Sequence, residues 1–231
     1  MTPSSAFIQE VLARRPALAA FDCDGTLWAG DAGADFFYWE IERGLVSREV
    51  ADWALRRYDE YKAGRVDELT MCGEMVTMHQ GLAVEKIEAA ACEFFETVVA
   101  PRIFPELLTL TRALAEQGCE IWAVSSTCNW VIEPAVKRFG IPANRVLAAS
   151  VECPGGKASA ELVRVPTDEL KATAIHEVIQ RDVQAVFGNS IHDLAMMELA
   201  RDAYAVNPRP ELAAEARVRG WTLYWPDAVR R

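Results

Sequence analysis

The sequence has few histidines, no excess of basic residues and no long apolar run. Its 231 residues include 3 His, and its 24 Lys and Arg stand against 34 Asp and Glu, which gives a formal net charge of −10. Binding to a nucleic-acid backbone requires a basic surface, so we expect no nucleic-acid partner. No stretch approaches the ~18 consecutive apolar residues that a membrane-spanning helix requires, so we expect no membrane partner.

The six cysteines form no recognisable metal or disulfide pattern. None belongs to a C-x-x-C pair or lies near a histidine at zinc spacing. The N-terminal segment has no basic start, apolar run and small-residue cleavage site of the kind that marks secretion. These features predict reduced thiols in a cytoplasmic protein. Cys23 lies between two aspartates, but in an extended segment it points away from them, and we expect it in the core.

Short apolar runs alternate with helical patterns along most of the chain. This rhythm predicts an α/β fold, a Rossmann-like core whose parallel sheet is covered by helices on both faces. Gly155-Gly156 predicts a hairpin within residues 151–165, and Asn129 is a candidate N-cap. The predicted strands are residues 17–21, 120–124, 146–151, 185–187, 203–206 and 222–225, and the predicted helices are 106–117, 130–139, 168–180, 191–199 and 211–219.

One region departs from this rhythm and reads as helical throughout. Residues 32–104 contain no good strand run, and helical spacing covers residues 34–43, 48–63, 66–78 and 84–98. We therefore expect an inserted all-helical cap domain, with residues 1–31 and 105–231 forming the core. The aromatic residues of the insertion are expected in its own core, and an aromatic cage for a quaternary ammonium group is the alternative.

The strongest local signal is the segment Asp22-Cys23-Asp24-Gly25-Thr26. Four fixed residues arise by chance in roughly one such chain in a thousand at about 5% use of each residue type. The segment follows the apolar run at residues 17–21, so both carboxylates lie at the carboxyl end of a predicted strand. Open α/β sheets bind their ligands at that edge. The alternative interpretation is a solvated turn in which Gly25 supplies the bend.

This segment resembles the first motif of the haloacid dehalogenase-like superfamily of phosphohydrolases. Later segments resemble the other motifs of that family in the same order, namely a strand followed by Ser125, a lysine at Lys171, and the run Gly188-Asn189-Ser190-Ile191-His192-Asp193. The helical insertion and the tail at 203–221 resemble the phosphoserine-phosphatase-like branch. The resemblance covers nearly the whole chain, and it implies a Mg²⁺-dependent phosphatase with a Rossmann-like core and a cap.

The resemblance also implies a role for each matching residue. Asp22 would be the nucleophile that forms an aspartyl-phosphate, and Asp24 would protonate the leaving alcohol and then activate water. Lys171 and Ser125 would contact the phosphoryl oxygens, and Asp193 would contact Lys171 or the hydrated metal. The ligands of Mg²⁺ would be Asp22, the Asp24 backbone carbonyl and Asn189. Thr26 and Ser126 would contact the substrate.

One departure from the family's pattern concerns the metal. Asn189 stands where the family has an aspartate that ligates Mg²⁺. An amide oxygen still ligates a hard cation but adds no negative charge. We therefore expect a working site of weaker metal affinity.

A second departure concerns the substrate. In phosphoserine phosphatases an acidic residue nine positions after the nucleophile meets the substrate amine, and Asp31 occupies that position here. Met75 aligns with the arginine that meets the substrate carboxylate in those enzymes, and methionine cannot pair with a carboxylate. The sequence therefore favours a small phosphomonoester with an apolar or cationic leaving group. A substrate with a carboxylate would still fit if Arg56, Arg57 or Arg65 took the place of the missing arginine and bound that carboxylate.

Other readings of the same motifs remain open. Dehalogenase chemistry uses the same nucleophile, but Asp24 argues against it, because a halide leaving group needs no proton. A phosphotransferase would pass the phosphoryl group to an acceptor alcohol instead of water. A catalytically weakened member would bind a phosphorylated ligand without turnover, and Asn189 is its only support in the sequence. We expect a monomer or a homodimer.

Overall fold

Seven strands form one sheet in the computed structural model, which describes residues 2–230. They are β1 (Leu18–Phe21), β2 (Glu120–Cys128), β3 (Val146–Val151), β4 (Leu162–Arg164), β5 (Ala185–Gly188), β6 (Asp202–Val206) and β7 (Thr222–Tyr224). Their order across the sheet is β4-β3-β2-β1-β5-β6-β7. Neighbouring strands run parallel except β3 and β4, which pair antiparallel around the predicted hairpin. The predicted α/β fold is confirmed.

Alternation along the central strands builds two cores. Ala19 and Phe21 face an apolar layer that includes the first helix of the chain, whereas Leu18 and Ala20 face a second layer on the other side. Helices therefore cover both faces, and the central strands β1 and β5 between them are buried throughout. The helices that cover the sheet are α1 (Pro3–Ala13), α6 (Pro105–Glu116), α7 (Asn129–Lys137), α8 (Glu169–Val178), α9 (Leu194–Glu198) and α10 (Pro210–Arg219). Helices α2 to α5 belong to the segment between β1 and α6.

Four helices occupy the segment between β1 and α6, here called the helical insertion (residues 32–104). Three of them begin at a side chain that accepts a hydrogen bond from a backbone N–H of the first turn: Asp31 from Ala34, Ser47 from Val50, and Asp67 from Thr70. The insertion has a small core of its own around Phe37. Its helices are α2 (Ala32–Glu42), α3 (Arg48–Lys62), α4 (Glu68–Thr77) and α5 (Val84–Phe94).

Several boundaries differ from those read from the sequence. Strand β2 continues to Cys128 instead of ending at Val124, with a register shift between Ser125 and Cys128. The fourth helix of the insertion ends as α-helix at Phe94 and continues as a π-helical turn over Phe95–Val99. The sequence did not predict α1. Among the described residues, no helix is both long and apolar enough to cross a membrane.

Candidate active site

The carboxyl edge of the sheet brings the sequence-predicted residues together. Asp22 directly follows β1, and its backbone N–H donates to Phe187 O at 2.9 Å, which continues the ladder to β5. Lys171 projects from the first turn of α8, and Asp193 from the turn after β5. Residues more than a hundred positions apart in the sequence thus lie in hydrogen-bond contact.

Lys171 joins two carboxylates. Its Nζ donates to Asp22 Oδ1 at 2.7 Å and to Asp193 Oδ1 at 2.6 Å, and all three side chains are buried. Burial alone would lower the pKa of Lys171, but the carboxylates of Asp193 and Asp22 outweigh it and keep the pKa above its ordinary value. Burial, with the nearby Asp193 charge, raises the pKa of Asp22 to about 6. The lysine therefore carries a fixed positive charge beside Asp22.

The remaining oxygen of Asp193 anchors the turn that carries it. Its Oδ2 accepts the backbone N–H groups of Asn189 at 2.8 Å and Ser190 at 2.9 Å. A carboxylate held by two backbone donors and a lysine has one orientation. Asp193 consequently positions both Lys171 and the loop that follows β5.

Asp24 is held separately from Asp22. Its Oδ1 accepts from Trp28 Nε1 and from the backbone N–H of Ala32, both at 2.7 Å. Its Oδ2 accepts from Thr127 Oγ1 at 2.7 Å. Burial, followed by the charge of Asp31, raises the pKa of Asp24 to about 7. A carboxyl group that exchanges its proton near neutral pH suits acid and base roles in turn.

Thr127 was not predicted from the sequence as a site residue. Its signal lies in the strand periodicity: Ser125 and Thr127 are two positions apart in β2, and such residues share a face in a regular strand. Ser125 is buried, and its Oγ accepts the Thr127 backbone N–H at 3.2 Å. Thr26 is also buried, and it donates to Asp22 Oδ2 at 2.8 Å, so it contacts the predicted nucleophile.

Asn189 packs directly against Gly25. A Cβ built on Gly25, whose φ is +78°, would lie 1.8 Å from Asn189 Nδ2. The amide thus borders the Asp24–Gly25 backbone on one side of Asp22. Asp22, Asp24 and Asp193 place three carboxyl groups near the single ammonium group of Lys171. This excess of acidic groups favours the binding of a cation at the site.

The donor set fits a magnesium ion. A carboxylate oxygen of Asp22, the backbone carbonyl of Asp24 and the amide oxygen of Asn189 are hard oxygen ligands of the type that Mg²⁺ takes, with water completing the shell. Within residues 2–230, no group of three or more His, Cys, Asp or Glu side chains has a metal-binding arrangement. Because Asn189 has an amide in place of a carboxylate, it does not count toward a group of acidic ligands.

A cavity of about 90 Å³ lies between the helical insertion and the end of β2. Ser126 and Thr127 line it from the sheet, Met75 lines it from the insertion, and Asp31 lines it from the N-cap position of α2. The cavity therefore adjoins Asp24 through Thr127. The sequence had suggested Arg56, Arg57 or Arg65 as a partner for a carboxylate, but none of these arginines lines the cavity. Arg57 instead binds Glu74 and Glu60.

Two contacts near the site were not predicted from the sequence. Cys128, not Asn129, is the N-cap of α7, and the Asn129 amide donates to Glu133 Oε1 at 3.1 Å. At the start of α8, Asp168 adopts a φ of +48°, and its Oδ1 lies 2.7 Å from His192 Nδ1. Cys23 is in the core, as expected.

The molecule is an α/β protein with a mostly parallel sheet and a buried Asp–Lys–Asp arrangement at the carboxyl edge of that sheet. The chain belongs to the haloacid dehalogenase-like hydrolases, because the model of that family matches residues 19–198, more than half of the chain. This membership is what the sequence resemblance implied, and the relatives of the chain include proteins named as phosphatases.

Known relatives extend over nearly the whole chain. A histidinol-phosphatase of Neisseria meningitidis is 25% identical over 221 residues, covering 89% of this chain and 97% of that protein. A Bordetella pertussis protein of unknown function has a similar structure, with a TM-score of 0.78 and 21% identity over 90% of this chain and 97% of that one. A probable phosphoserine phosphatase from Vibrio cholerae gives a TM-score of 0.66 at 17% identity, over 89% of this chain and 60% of that one. The two structures show a shared fold.

Proposed function

We propose that the protein is a Mg²⁺-dependent phosphomonoester hydrolase that acts on a small phosphorylated metabolite through an aspartyl-phosphate at Asp22. The observation that carries this proposal is the pair of bonds from Lys171 Nζ to Asp22 Oδ1 and Asp193 Oδ1. They place a fixed positive charge against the carboxylate that would attack, at the sheet edge where open α/β folds bind ligands. We further propose that the helical insertion acts as a cap that sets specificity.

The first half of the reaction forms the covalent intermediate. An Asp22 carboxylate oxygen attacks phosphorus, the bond between phosphorus and the ester oxygen breaks, and the protonated Asp24 gives its proton to the departing alkoxide. The Lys171 ammonium and the Ser125 hydroxyl stabilise the charge on the phosphoryl oxygens. Mg²⁺, when bound by Asp22, the Asp24 carbonyl and Asn189, supplies further positive charge toward the same oxygens.

The second half releases phosphate. Asp24, now deprotonated, takes a proton from water as the water oxygen attacks phosphorus, and the bond between Asp22 and phosphorus breaks. The three hydrogen bonds that hold Asp24 keep it apart from Asp22, so the two aspartates can serve in different roles. Asp193 holds Lys171 in place through both steps.

The cavity supports a small substrate without a carboxylate. Its lining residues include Asp31 and Met75 and no lysine or arginine, so a substrate carboxylate would lack a cationic partner there. Relatives of this chain are named for histidinol phosphate and for phosphoserine. Between these two esters, the lining favours the one whose leaving group has an amine and no carboxylate.

The test is phosphate release from a panel that contains histidinol phosphate, phosphoserine and p-nitrophenyl phosphate, with Mg²⁺ and with EDTA. We expect metal-dependent release that is absent in Asp22→Asn, with histidinol phosphate ahead of phosphoserine. Release that persists in Asp22→Asn would contradict the mechanism. Ligand-dependent thermal protection without any release would favour a binding protein, and transfer of phosphate to added alcohols in place of release would favour a phosphotransferase.

A further inference from the structure

The cavity beside Asp24 is lined on its insertion side by polar and aromatic residues that the proposed reaction does not use. Tyr58 and Tyr61 of α3 and Glu68 of α4 line it from the insertion, whereas Ser126 and Thr127 of β2 line it from the sheet. Because Thr127 binds Asp24, a leaving alcohol that receives a proton from Asp24 enters the cavity from the β2 side. Its distal part then points toward the two tyrosines and Glu68.

Glu68 is a fixed carboxylate. Its Oε2 accepts the hydroxyl proton of Tyr61, and its Oε1 accepts the Cys72 thiol at 3.5 Å. Burial raises the pKa of the Tyr61 hydroxyl, and the hydrogen bond with Glu68 adds to this effect, so the tyrosine stays a donor. Two neutral donors orient the Glu68 carboxylate without neutralising it.

The charge along the cavity is negative at two places. Its acidic lining residues are Asp31, Glu40 and Glu68, and its lining contains no lysine or arginine. Glu40 is paired with His79, whose Nε2 lies 2.6 Å from Glu40 Oε2. Asp31 and Glu68 therefore remain as negative charges without a cationic partner among the lining side chains.

The two negative charges belong to one cavity. Asp31, Glu68 and Cys72 line the same cavity. Burial raises the pKa of the Cys72 thiol, and the charges of Glu68 and of Asp31 both raise it further. The Tyr58 ring stands beside them, and its pKa is raised to about 12 by burial and then by Asp31. Lys62 Nζ lies 5.3 Å from the centroid of the Tyr58 ring, so this aromatic face already has a cation beside it. The two carboxylates are therefore the groups that favour a bound cation able to donate hydrogen bonds.

We propose that Glu68, with Tyr58 and Tyr61, forms a distal subsite for a second nitrogen group of the leaving alcohol. The group is an ammonium or an imidazole with N–H donors, and the Asp31 region takes the first ammonium. The substrate class is then the phosphate ester of an amino alcohol with two nitrogen groups and no carboxylate. This inference rests on the proposed phosphatase function.

A matched pair of esters tests it. Ornithinol phosphate carries two ammonium groups, and norleucinol phosphate has nearly the same shape with a methyl group in place of the distal ammonium. We expect kcat/KM for ornithinol phosphate to exceed that for norleucinol phosphate by about tenfold or more, as a hydrogen bond to a charged group provides. In Glu68→Gln this ratio should fall close to one, and hydrolysis of p-nitrophenyl phosphate shows whether the variant is still folded and active.

The control variant is Asp52→Asn, which removes one negative charge from the same insertion at a side chain that is 58% exposed and does not line the cavity. It should keep the wild-type ratio. Equal rates for the two esters in the wild type, or a ratio that survives Glu68→Gln, would overturn the proposal. A preference for choline phosphate over ornithinol phosphate would also overturn it, because a trimethylammonium group has no N–H. Failure to hydrolyse even p-nitrophenyl phosphate would instead refute the proposed function, and the subsite assignment with it.

Discussion

Thr127 Oγ1 donates a hydrogen bond to Asp24 Oδ2 at 2.7 Å, and this bond ties the end of β2 to the loop after β1. The same threonine lines the cavity under the helical insertion. Thr127 therefore touches both the residue proposed as the general acid and the space proposed for the leaving group. A change at this position should affect proton transfer before it affects folding.

Thr127→Val should lower kcat by about tenfold for alkyl phosphates. General acid–base catalysis contributes about 10²–10⁴-fold, and the variant removes one of the three contacts that hold Asp24. The effect should be much smaller for p-nitrophenyl phosphate, whose leaving group needs no proton. Thr127→Ser keeps the hydroxyl and should retain wild-type rates. An equal loss for both kinds of ester would place the role of Thr127 outside proton transfer.

The sequence predicted which residues lie together at this site better than it predicted the surroundings of the site. Asp22, Lys171 and Asp193 could be found because the order of motifs along the chain and the strand ends are both visible in a sequence. Thr127 was missed because β2 was expected to end at Val124. The strand instead continues to Cys128, with a shift in its register against β3 after Ser125. Glu68 lies on a helix whose spacing gives only its amphipathic character, so its place in the cavity depends on packing that local patterns do not encode.

A similar limit applies to Asp168 and His192. They are 24 positions apart and belong to separate elements, and their contact at 2.7 Å exists only because α8 and the turn after β5 meet in the fold. The positive φ of Asp168 is also invisible in the sequence. By contrast, the alternation of Leu18, Ala19, Ala20 and Phe21 between two cores follows directly from strand geometry.

Gly25→Ala and Gly118→Ala separate backbone strain from site disruption. Both glycines have a positive φ, +78° and +84°, so both substitutions should cost about 1–2 kcal/mol of unfolding free energy. Only at Gly25 does the new Cβ meet a neighbour, since it would lie 1.8 Å from Asn189 Nδ2, whereas Gly118 has nothing within 4 Å. We expect phosphatase activity to be lost in Gly25→Ala and kept in Gly118→Ala. Urea unfolding and phosphate release measure the two effects, and equal activities would argue against the Gly25–Asn189 contact.

Lys171→Met should destabilise the protein as well as inactivate it. The substitution leaves the buried carboxylates of Asp22 and Asp193 without their shared cation, a change that typically costs about 3–5 kcal/mol. The double variant Lys171→Met/Asp193→Asn removes one of these carboxylates and should recover much of that loss while staying inactive. Urea unfolding of both variants at neutral pH gives the comparison. A single variant as stable as the wild type would mean that the three side chains are not coupled.

Asn189→Asp should tighten Mg²⁺ binding, because a carboxylate adds a negative charge where the amide contributes only an oxygen. Titration of the protein with Mg²⁺, followed by calorimetry, measures the affinity directly, and the Mg²⁺ concentration for half-maximal phosphate release should fall in parallel. An unchanged affinity would show that Asn189 is not a ligand. Asn207→Asp, at a side chain that donates to Gly25 O at 3.1 Å, tests whether any added charge nearby has the same effect.

The proposed mechanism requires that Asp22 becomes covalently phosphorylated during turnover. The direct measurement is rapid acid quenching of the enzyme during steady-state hydrolysis with Mg²⁺, followed by fragment mass spectrometry of the peptide that contains Asp22 and Asp24. We expect one phosphoryl group on Asp22 that hydroxylamine removes, and none in Asp22→Asn. A phosphoryl group on Ser125 or on Asp24, or rapid turnover with no labelled residue at all, would contradict it.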